Sequence, residues 1–322
     1  MPVTPQQLCK LEAYAGTNPI PADFDAFWAE RVAEADERPL DFETVPADVP
    51  SFDGCEYLDL WFRGMAGARL YAKYLRPAGP GPAPLVLQFH GYPGRTRSWF
   101  EHSSFVGMGF ASIALDNPGQ GGRSEDVGGF RGATVSGHLI AGLGGDPKDL
   151  YYVRLYQDIR ILCRIVRELP GLDLDDVCVY GGSQGGAVGL ATCALNGDLI
   201  RRAAILYPFL SDFRGVWERG DDVSAYEGLR YFSRWFDADG SGADEWFRRL
   251  GYIDTLSFAH LVRCEVLFGT GLADDVCPPP TQFAVYNALR CPKTHLLYPD
   301  FGHEAIQAFD DALLGFFGKG AR

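Results

Sequence analysis

Short apolar runs recur along the chain from residue 84 onward, and nearly every position within each run is hydrophobic. Runs of this kind are typical of strands buried on both faces of a parallel sheet. They occupy residues 84–90, 110–116, 176–182, 202–209, 264–270 and 294–300. Between most of them the apolar positions follow a helical period, over residues 150–169, 185–196, 279–289 and 304–318. This alternation predicts an α/β fold with a mainly parallel central sheet flanked by helices.

Two earlier segments, 56–62 and 69–75, alternate apolar and polar residues instead. Strict alternation predicts antiparallel strands with one face in solvent. Residues 1–50 form an N-terminal extension, in which residues 21–35 begin with proline, carry early acidic residues and place aromatic residues on one face. These features predict an amphipathic helix that packs on the main body.

Two other segments depart from the alternation of strands and helices. Residues 117–149 contain ten glycines and predict a long loop with little secondary structure. Residues 210–256 are rich in aromatic residues at helical spacing and predict a small helical cap insertion. These aromatic residues either pack the cap onto the body or line a substrate pocket, and the sequence leaves both open. The chain is therefore predicted to be a single domain over 1–322, with the extension and the cap as additions.

Composition excludes several classes of protein. The chain has 322 residues, and 29 Lys and Arg against 42 Asp and Glu give a formal charge of −13. A field of that sign repels phosphate backbones and anionic membranes, so we expect neither a nucleic-acid nor a membrane partner. The first residues also lack the basic start and apolar stretch of a secretory signal. We therefore expect a cytoplasmic protein whose eight cysteines are mainly buried free thiols.

The strongest chemical signal is the segment Gly181-Gly182-Ser183-Gln184-Gly185, which lies between a predicted strand and a predicted helix. It matches G-x-S-x-G, in which a serine on a tight strand-to-helix turn exposes its hydroxyl at the edge of the sheet. Spacings typical of dinucleotide-binding and phosphate-binding loops are absent from this segment. Ser183 is therefore the candidate nucleophile.

A serine hydroxyl is a weak nucleophile and needs a general base. In the order Ser–acid–His, the base follows the last strand, and His303 occupies that place. The residues after His303 lack the second histidine of an H-E-x-x-H zinc motif, so we expect no metal and no other cofactor.

The acid that orients the histidine is expected after the preceding strand. Asp274 and Asp275 both lie there, and their spacing does not separate them. Asp300, only three residues before the histidine, is a weaker candidate. The acid accepts the other imidazole N–H, fixes the tautomer and stabilises the imidazolium.

A tetrahedral intermediate needs N–H donors aimed at its oxyanion. We expect one from Gln184, which follows the nucleophile, and one from Tyr92, which follows an early strand. Gly91, Tyr92 and Pro208 are the candidate substrate contacts.

Several motifs occur in a fixed order along the chain. They are His90-Gly91-Tyr92, Pro118-Gly119-Gln120-Gly121-Gly122, the segment around Ser183, Gly271-Leu272-Ala273-Asp274 with Cys277-Pro278-Pro279, and His303-Glu304. Together they resemble the acetyl xylan esterase and cephalosporin-C deacetylase family, carbohydrate esterase family 7 of the α/β-hydrolases. The resemblance implies that Asp274 is the acid. One departure is Pro118, where the family usually has arginine.

The resemblance implies a cytoplasmic, often hexameric serine esterase that removes acetyl groups from small carbohydrate-like substrates. Acetylated xylo-oligosaccharides and cephalosporin C are the expected substrates. One alternative is a carboxylesterase, thioesterase or amidase for another small acyl compound. A second is a non-catalytic, oligomeric binding protein on a hydrolase scaffold.

Overall fold

The computed structural model describes residues 4–128, 138–221 and 224–320. Strands in these residues form a single nine-stranded sheet. The strands are β1 (Phe42–Pro46), β2 (Cys55–Arg63), β3 (Arg69–Pro77), β4 (Ala83–Phe89), β5 (Ala111–Leu115), β6 (Leu172–Gly182), β7 (Ile200–Leu206), β8 (Glu265–Gly271) and β9 (Lys293–Tyr298). The helices are α1 (Pro5–Glu12), α2 (Phe24–Asp36), α3 (Trp99–Gly107), α4 (Tyr151–Glu168), α5 (Gln184–Leu195), α6 (Phe213–Arg219), α7 (Glu227–Phe236), α8 (Ala243–Leu250), α9 (Thr255–Phe258), α10 (Pro279–Ala288) and α11 (Gln307–Phe317).

The sheet has the order β1-β2-β3-β5-β4-β6-β7-β8-β9. The pairs β1–β2, β2–β3 and β3–β5 are antiparallel. The five remaining pairs, from β5–β4 to β8–β9 in this order, are parallel. The central strand β4 is apolar on both faces, and its residues Leu85, Val86 and Leu87 are fully buried. The predicted α/β class, the parallel body and the two antiparallel strands are confirmed, with shifts at the ends of the elements. Two burial predictions are wrong. Strand β3 lies inside the sheet and buries Leu70, Tyr71 and Ala72 in succession, so it has no solvent face, and β9 lies at the edge of the sheet and has no fully buried residue.

Four short elements were not predicted from the sequence: α1, β1, α3 and α9. Helix α3 begins with a reciprocal cap, in which Ser98 Oγ accepts a hydrogen bond from the Glu101 N–H at 3.2 Å and Glu101 Oε2 accepts one from the Ser98 N–H at 3.1 Å. The S-x-x-E spacing is a recognised signal for a helix start. The helix that follows is too short for its apolar positions to establish a period.

The predicted helix of the N-terminal extension is α2, and it packs firmly on the body. Trp28 is almost fully buried, and its Nε1 donates a hydrogen bond to the Tyr252 carbonyl oxygen at 3.0 Å. Phe24 packs edge-on against Phe258 with ring centroids 5.0 Å apart. The extension is therefore part of the core.

The insertion over residues 210–256 is helical and contains α6, α7 and α8. Trp246 and Phe247 are buried, and Trp217 packs edge-on against Trp246 with centroids 5.7 Å apart. Of the predicted loop 117–149, residues 129–137 lie outside the described residues. The remainder contains one short 3-10 helix, Pro147–Asp149.

All eight cysteines are free thiols, and most of them are buried. Among the residues that the structure describes, we find no helix with the length and apolar character needed to cross a bilayer.

Candidate active site

Three side chains from distant parts of the chain meet at the carboxyl-terminal edge of the parallel strands. Ser183 follows β6, Asp274 follows β8 and His303 follows β9. Nε2 of His303 lies 2.9 Å from Ser183 Oγ, and Nδ1 of the same ring lies 2.9 Å from Asp274 Oδ2. Because the carboxyl ends of parallel strands share one edge, the topology brings these residues together. The arrangement is a hydrogen-bonded chain from hydroxyl through imidazole to carboxylate.

Ser183 occupies a strained turn between β6 and α5, with φ 57° and ψ −126°. Two glycines make this turn possible. A Cβ at Gly181 would lie 2.2 Å from the Gly185 carbonyl oxygen, and a Cβ at Gly185 would lie 2.0 Å from the Phe89 carbonyl oxygen. Strain at a single residue persists where the surroundings hold it, and it is common at catalytic positions.

The Asp274 carboxylate is buried, and four groups fix its orientation. Oδ1 accepts hydrogen bonds from the backbone N–H groups of Val276 at 2.9 Å and Cys277 at 2.8 Å. Oδ2 accepts one from Gln282 Nε2 at 3.3 Å in addition to the bond with His303. A carboxylate held from several sides can fix the imidazole tautomer.

The other two acidic candidates lie apart from this arrangement. Asp275 and Asp300 are both exposed. Within the described part of the chain, the carboxylate hydrogen-bonded to His303 is that of Asp274. The geometry therefore separates two neighbouring residues that spacing left equivalent.

Tyr207 holds the other side of the histidine, a contact that sequence reasoning missed. Its ring lies against the His303 ring with centroids 4.5 Å apart, and its hydroxyl donates to the Glu304 carbonyl oxygen at 2.9 Å. Burial raises the pKa of Tyr207 to about 12, so the phenol stays neutral. A tyrosine at the end of an apolar strand carries no signal of this contact in the sequence.

The two backbone groups proposed as oxyanion donors lie on either side of Ser183. Gln184 is the first residue of α5, where an N–H has no intrahelical acceptor and the helix dipole favours negative charge. Tyr92 follows β4 and lines the same cavity as Ser183. A Cβ at Gly91 would lie 3.8 Å from Ser183 Cβ, so this glycine leaves the space beside the nucleophile open.

His90 organises the loop that carries Tyr92. Its Nε2 accepts a hydrogen bond from the Asn117 N–H at 3.0 Å, so its Nδ1 donates to the Gly91 carbonyl oxygen at 2.8 Å. Burial lowers the pKa of His90, which favours this neutral form. His90 is thus a structural residue of the loop, a role that the sequence analysis did not assign to it.

A cavity of about 300 Å³ lies beside Ser183 and His303. Its walls come from the loop after β4 and from residues near Tyr207 and Ile306. Among the described residues, none of the insertion 210–256 lines this cavity. The insertion's aromatic residues that are buried pack in the core instead, so the packing interpretation of the insertion is favoured for this cavity.

Pro208 is buried, and its Cα would lie 3.2 Å from a Cβ at Gly186. It is not on the wall of the 300 Å³ cavity. Its role as a substrate contact therefore stays a prediction.

The described residues contain no group of three or more His, Cys, Asp or Glu side chains arranged to hold a metal ion. The groups available for a reaction at this site are a hydroxyl, an imidazole and a carboxylate, which are joined by hydrogen bonds.

Comparison with known proteins shows close relatives. The acetyl xylan esterase (AXE1) family matches residues 1–319 of the chain. The crystal structure of acetyl xylan esterase 1 from a Thermoanaerobacterium species is similar with a TM-score of 0.93 and 39% identity, over 96% of this chain and 97% of that one. An acetyl xylan esterase from a Paenibacillus species has a TM-score of 0.91 and 29% identity, over 96% and 98% of the two chains.

A curated relative, the acetyl esterase Axe7A of Xylanibacter ruminicola, is 28% identical over 286 residues. The match covers 87% of this chain, and this chain spans 62% of the length of that relative. On the family match and the two structural matches, the chain belongs to the acetyl xylan esterase family, as its motifs predicted, and has the α/β-hydrolase fold.

Proposed function

We propose that this protein is a serine esterase that removes acetyl groups from small carbohydrate substrates. The observation that carries the proposal is the pair of 2.9 Å hydrogen bonds that join Ser183 to His303 and His303 to Asp274. Membership of the acetyl xylan esterase family supports the same reaction.

In the proposed reaction Ser183 Oγ attacks the acetyl carbonyl carbon while His303 Nε2 takes the hydroxyl proton. The Asp274 carboxylate stabilises the imidazolium that forms. The N–H groups of Tyr92 and Gln184 bind the oxyanion of the tetrahedral intermediate. His303 then donates its proton to the alcohol oxygen, and the C–O bond breaks to leave an acetyl-enzyme.

The second half of the reaction uses the same groups. Water enters, His303 removes its proton, and the resulting hydroxide attacks the acetyl carbonyl. Collapse of the second tetrahedral intermediate returns the proton to Ser183 Oγ and releases acetate. Each group therefore ends in its starting state.

Acetylated xylose-containing sugars are the proposed substrates because the two solved structures described above are acetyl xylan esterases. The net charge of −13 favours a neutral substrate over an anionic one. Cephalosporin C, which is also an acetyl ester, is the second proposed substrate, and its net negative charge should make it the poorer of the two.

The test is a hydrolysis screen of acetylated xylo-oligosaccharides, acetylated glucose and cephalosporin C, with 4-nitrophenyl acetate, butyrate and octanoate alongside. We expect acetyl esters to be preferred, and Ser183→Ala to lower kcat on the order of 10⁴–10⁶-fold because the nucleophile acts as a unit with its partners. A preference for octanoate, or for thioesters or amides, would favour the other small acyl substrates.

An organophosphate should label Ser183 covalently in the wild type and leave Ser183→Ala unlabelled. Absence of both labelling and turnover would favour a binding protein on a hydrolase scaffold.

A cytoplasmic location and a homo-oligomeric state, a hexamer by family resemblance, are further parts of this proposal. Buried free thiols are the usual state in a reducing compartment, which supports the location. Trp235 and Phe236 are exposed at the end of α7, a kind of patch typical of subunit contacts. Light scattering of the purified protein would measure the subunit number directly.

A further inference from the structure

A second cavity, of about 600 Å³, lies between α3 and α11. It adjoins the cavity beside Ser183 because the two share five lining residues, which are Gln88, Arg97, His102, Tyr180 and Asp310. We call the two adjoining cavities together the α3–α11 groove. Its lining runs from Ser183 to Phe100 and Leu314, and both volumes lie in the range of small-molecule sites, roughly 300–1,000 Å³.

The outer part of the α3–α11 groove carries exposed apolar side chains from both helices. Phe100 on α3 is 89% exposed, and Leu314 on α11 is 59% exposed. Both line the second cavity. The Phe100 ring therefore gains little from packing within its own chain, and its faces are available to a ligand.

Polar groups lie at the junction of the two cavities. The Tyr180 hydroxyl donates a hydrogen bond to Asp310 Oδ1 at 3.1 Å, which leaves the other carboxylate oxygen for further donors. Arg97, which precedes α3, donates a hydrogen bond to Glu101 of that helix at 3.2 Å. His102 is 2% exposed, and its Nε2 has no hydrogen-bond partner within the described residues.

An aromatic face beside planar charged groups matches the chemistry of a pyranose ring. The ring's C–H face is attracted to the negative face of an aromatic side chain. Its hydroxyls pair with carboxylate and guanidinium groups, which accept or donate two hydrogen bonds in one plane. A lipid or acyl chain would supply no partner to His102 Nε2, and leaving a buried polar group unpaired is costly.

We propose that the α3–α11 groove binds the sugar units next to the acetylated one, so that the preferred substrate is an acetylated oligosaccharide and not an acetylated monosaccharide. This inference rests on the proposed esterase function. Phe100 supplies a stacking face for a sugar ring, and Arg97 and Asp310 hydrogen-bond to its hydroxyls. The scissile ester then lies at Ser183, in the adjoining cavity.

The experiment compares kcat/KM for acetylated xylose, xylobiose and xylotriose in three proteins: wild type, Phe100→Ala and Phe52→Ala. Phe52 is also an exposed phenylalanine but lies outside both cavities. The readout is the ratio of kcat/KM for xylotriose acetate to that for xylose acetate. We expect a ratio of about 10 in the wild type and in Phe52→Ala, and about 1–2 in Phe100→Ala, since a stacking contact of this kind is worth about a factor of 5–10.

A wild-type ratio near 1 together with ready turnover of xylose acetate would overturn the groove assignment and leave the esterase proposal standing. A failure to hydrolyse any acetyl ester would instead overturn the esterase proposal, and the groove assignment with it. Light scattering accompanies the kinetics. If Phe100→Ala changes the subunit number and leaves the ratio unchanged, the surface belongs to a second copy of the chain and the proposal is wrong.

Discussion

Gln120 and Gln184 face each other as a reciprocal pair of amides. Nε2 of Gln120 donates to Oε1 of Gln184 at 2.9 Å, and Nε2 of Gln184 donates to Oε1 of Gln120 at 2.8 Å. The Tyr152 hydroxyl also donates to Gln184 Oε1, at 2.7 Å, and the Tyr151 hydroxyl donates to the Pro118 carbonyl oxygen, also at 2.7 Å. The residue after the nucleophile is therefore tied to the glycine-rich loop that follows β5.

This pair predicts that Gln120 positions the nucleophile turn without touching substrate. Replacing Gln120 with Leu removes two of the hydrogen bonds that hold the Gln184 amide, and it loosens the residue whose N–H is proposed to bind the oxyanion. We expect kcat to fall about 10- to 100-fold with little change in KM, because small displacements at a reacting centre have effects of this size. Steady-state kinetics on an acetyl ester measures both constants.

The matched control is Gln157→Leu, which removes another buried amide, one that donates to the Arg31 carbonyl oxygen at 2.8 Å far from the site. Both variants should lose some stability, but the control should keep its kcat. Equal losses of kcat in the two variants would show that Gln120 acts only through overall stability.

A second prediction concerns the neighbouring acids. Asp274 is buried with four hydrogen-bond donors around it, whereas Asp275 is exposed. We expect Asp274→Asn to lower kcat on the order of 10⁴-fold, because the amide favours the wrong imidazole tautomer. Asp275→Asn should keep kcat within about twofold, as surface substitutions usually do little. The reverse ranking, measured on one acetyl ester, would reassign the acid.

The comparison of these residues shows what sequence can and cannot predict. Ser183 and His303 were predictable because their motifs fix both residue type and place in the strand order. The choice between Asp274 and Asp275 depended on family resemblance, because no hydrophobic periodicity in a loop distinguishes one residue from its neighbour. His90 and Gln120 lie in the family motifs, but the motifs do not show which groups these side chains contact. Tyr207 lies in no motif, and a contact between residues 64 positions apart, as in the Gln120–Gln184 pair, depends on the tertiary structure.

The same reasoning applies to the fold. The apolar runs that lie inside the sheet were interpreted correctly because burial on both faces leaves a continuous signal. The run 294–300 was also predicted to be buried on both faces, but β9 is an edge strand with no fully buried residue. The bounds of the strands shifted because apolar residues extend past the hydrogen-bonded ladder, as in the run 202–209, where strand β7 ends at Leu206. The sequence could not predict the α3–α11 groove, because α3 itself was not predicted.

The last prediction concerns stability and rests on Asp158 of helix α4. This carboxyl is 2% exposed, and its Oδ1 accepts a hydrogen bond from the Met65 N–H at 2.6 Å. Burial raises the pKa of Asp158 to about 7. In the unfolded chain an aspartate has a pKa near ~3.9, so between these values the folded state holds a proton that the unfolded state has lost.

Its contribution to stability is therefore full below about pH 4 and is lost as the pH rises through about 7. For one such group the free energy of unfolding should fall by about 2–3 kcal/mol between pH 5 and pH 8, which is a few degrees in Tm. Asp158→Asn removes the titration, so its Tm should fall less over this interval. Thermal unfolding of both proteins at pH 5, 6, 7 and 8 measures the difference.

A second buried carboxyl also contributes to the pH dependence of Tm. Burial raises the pKa of Asp254 to about 7 as well, so part of the fall in Tm with pH should persist in the variant. Parallel curves for the two proteins would show that Asp158 is ionised in the folded state throughout.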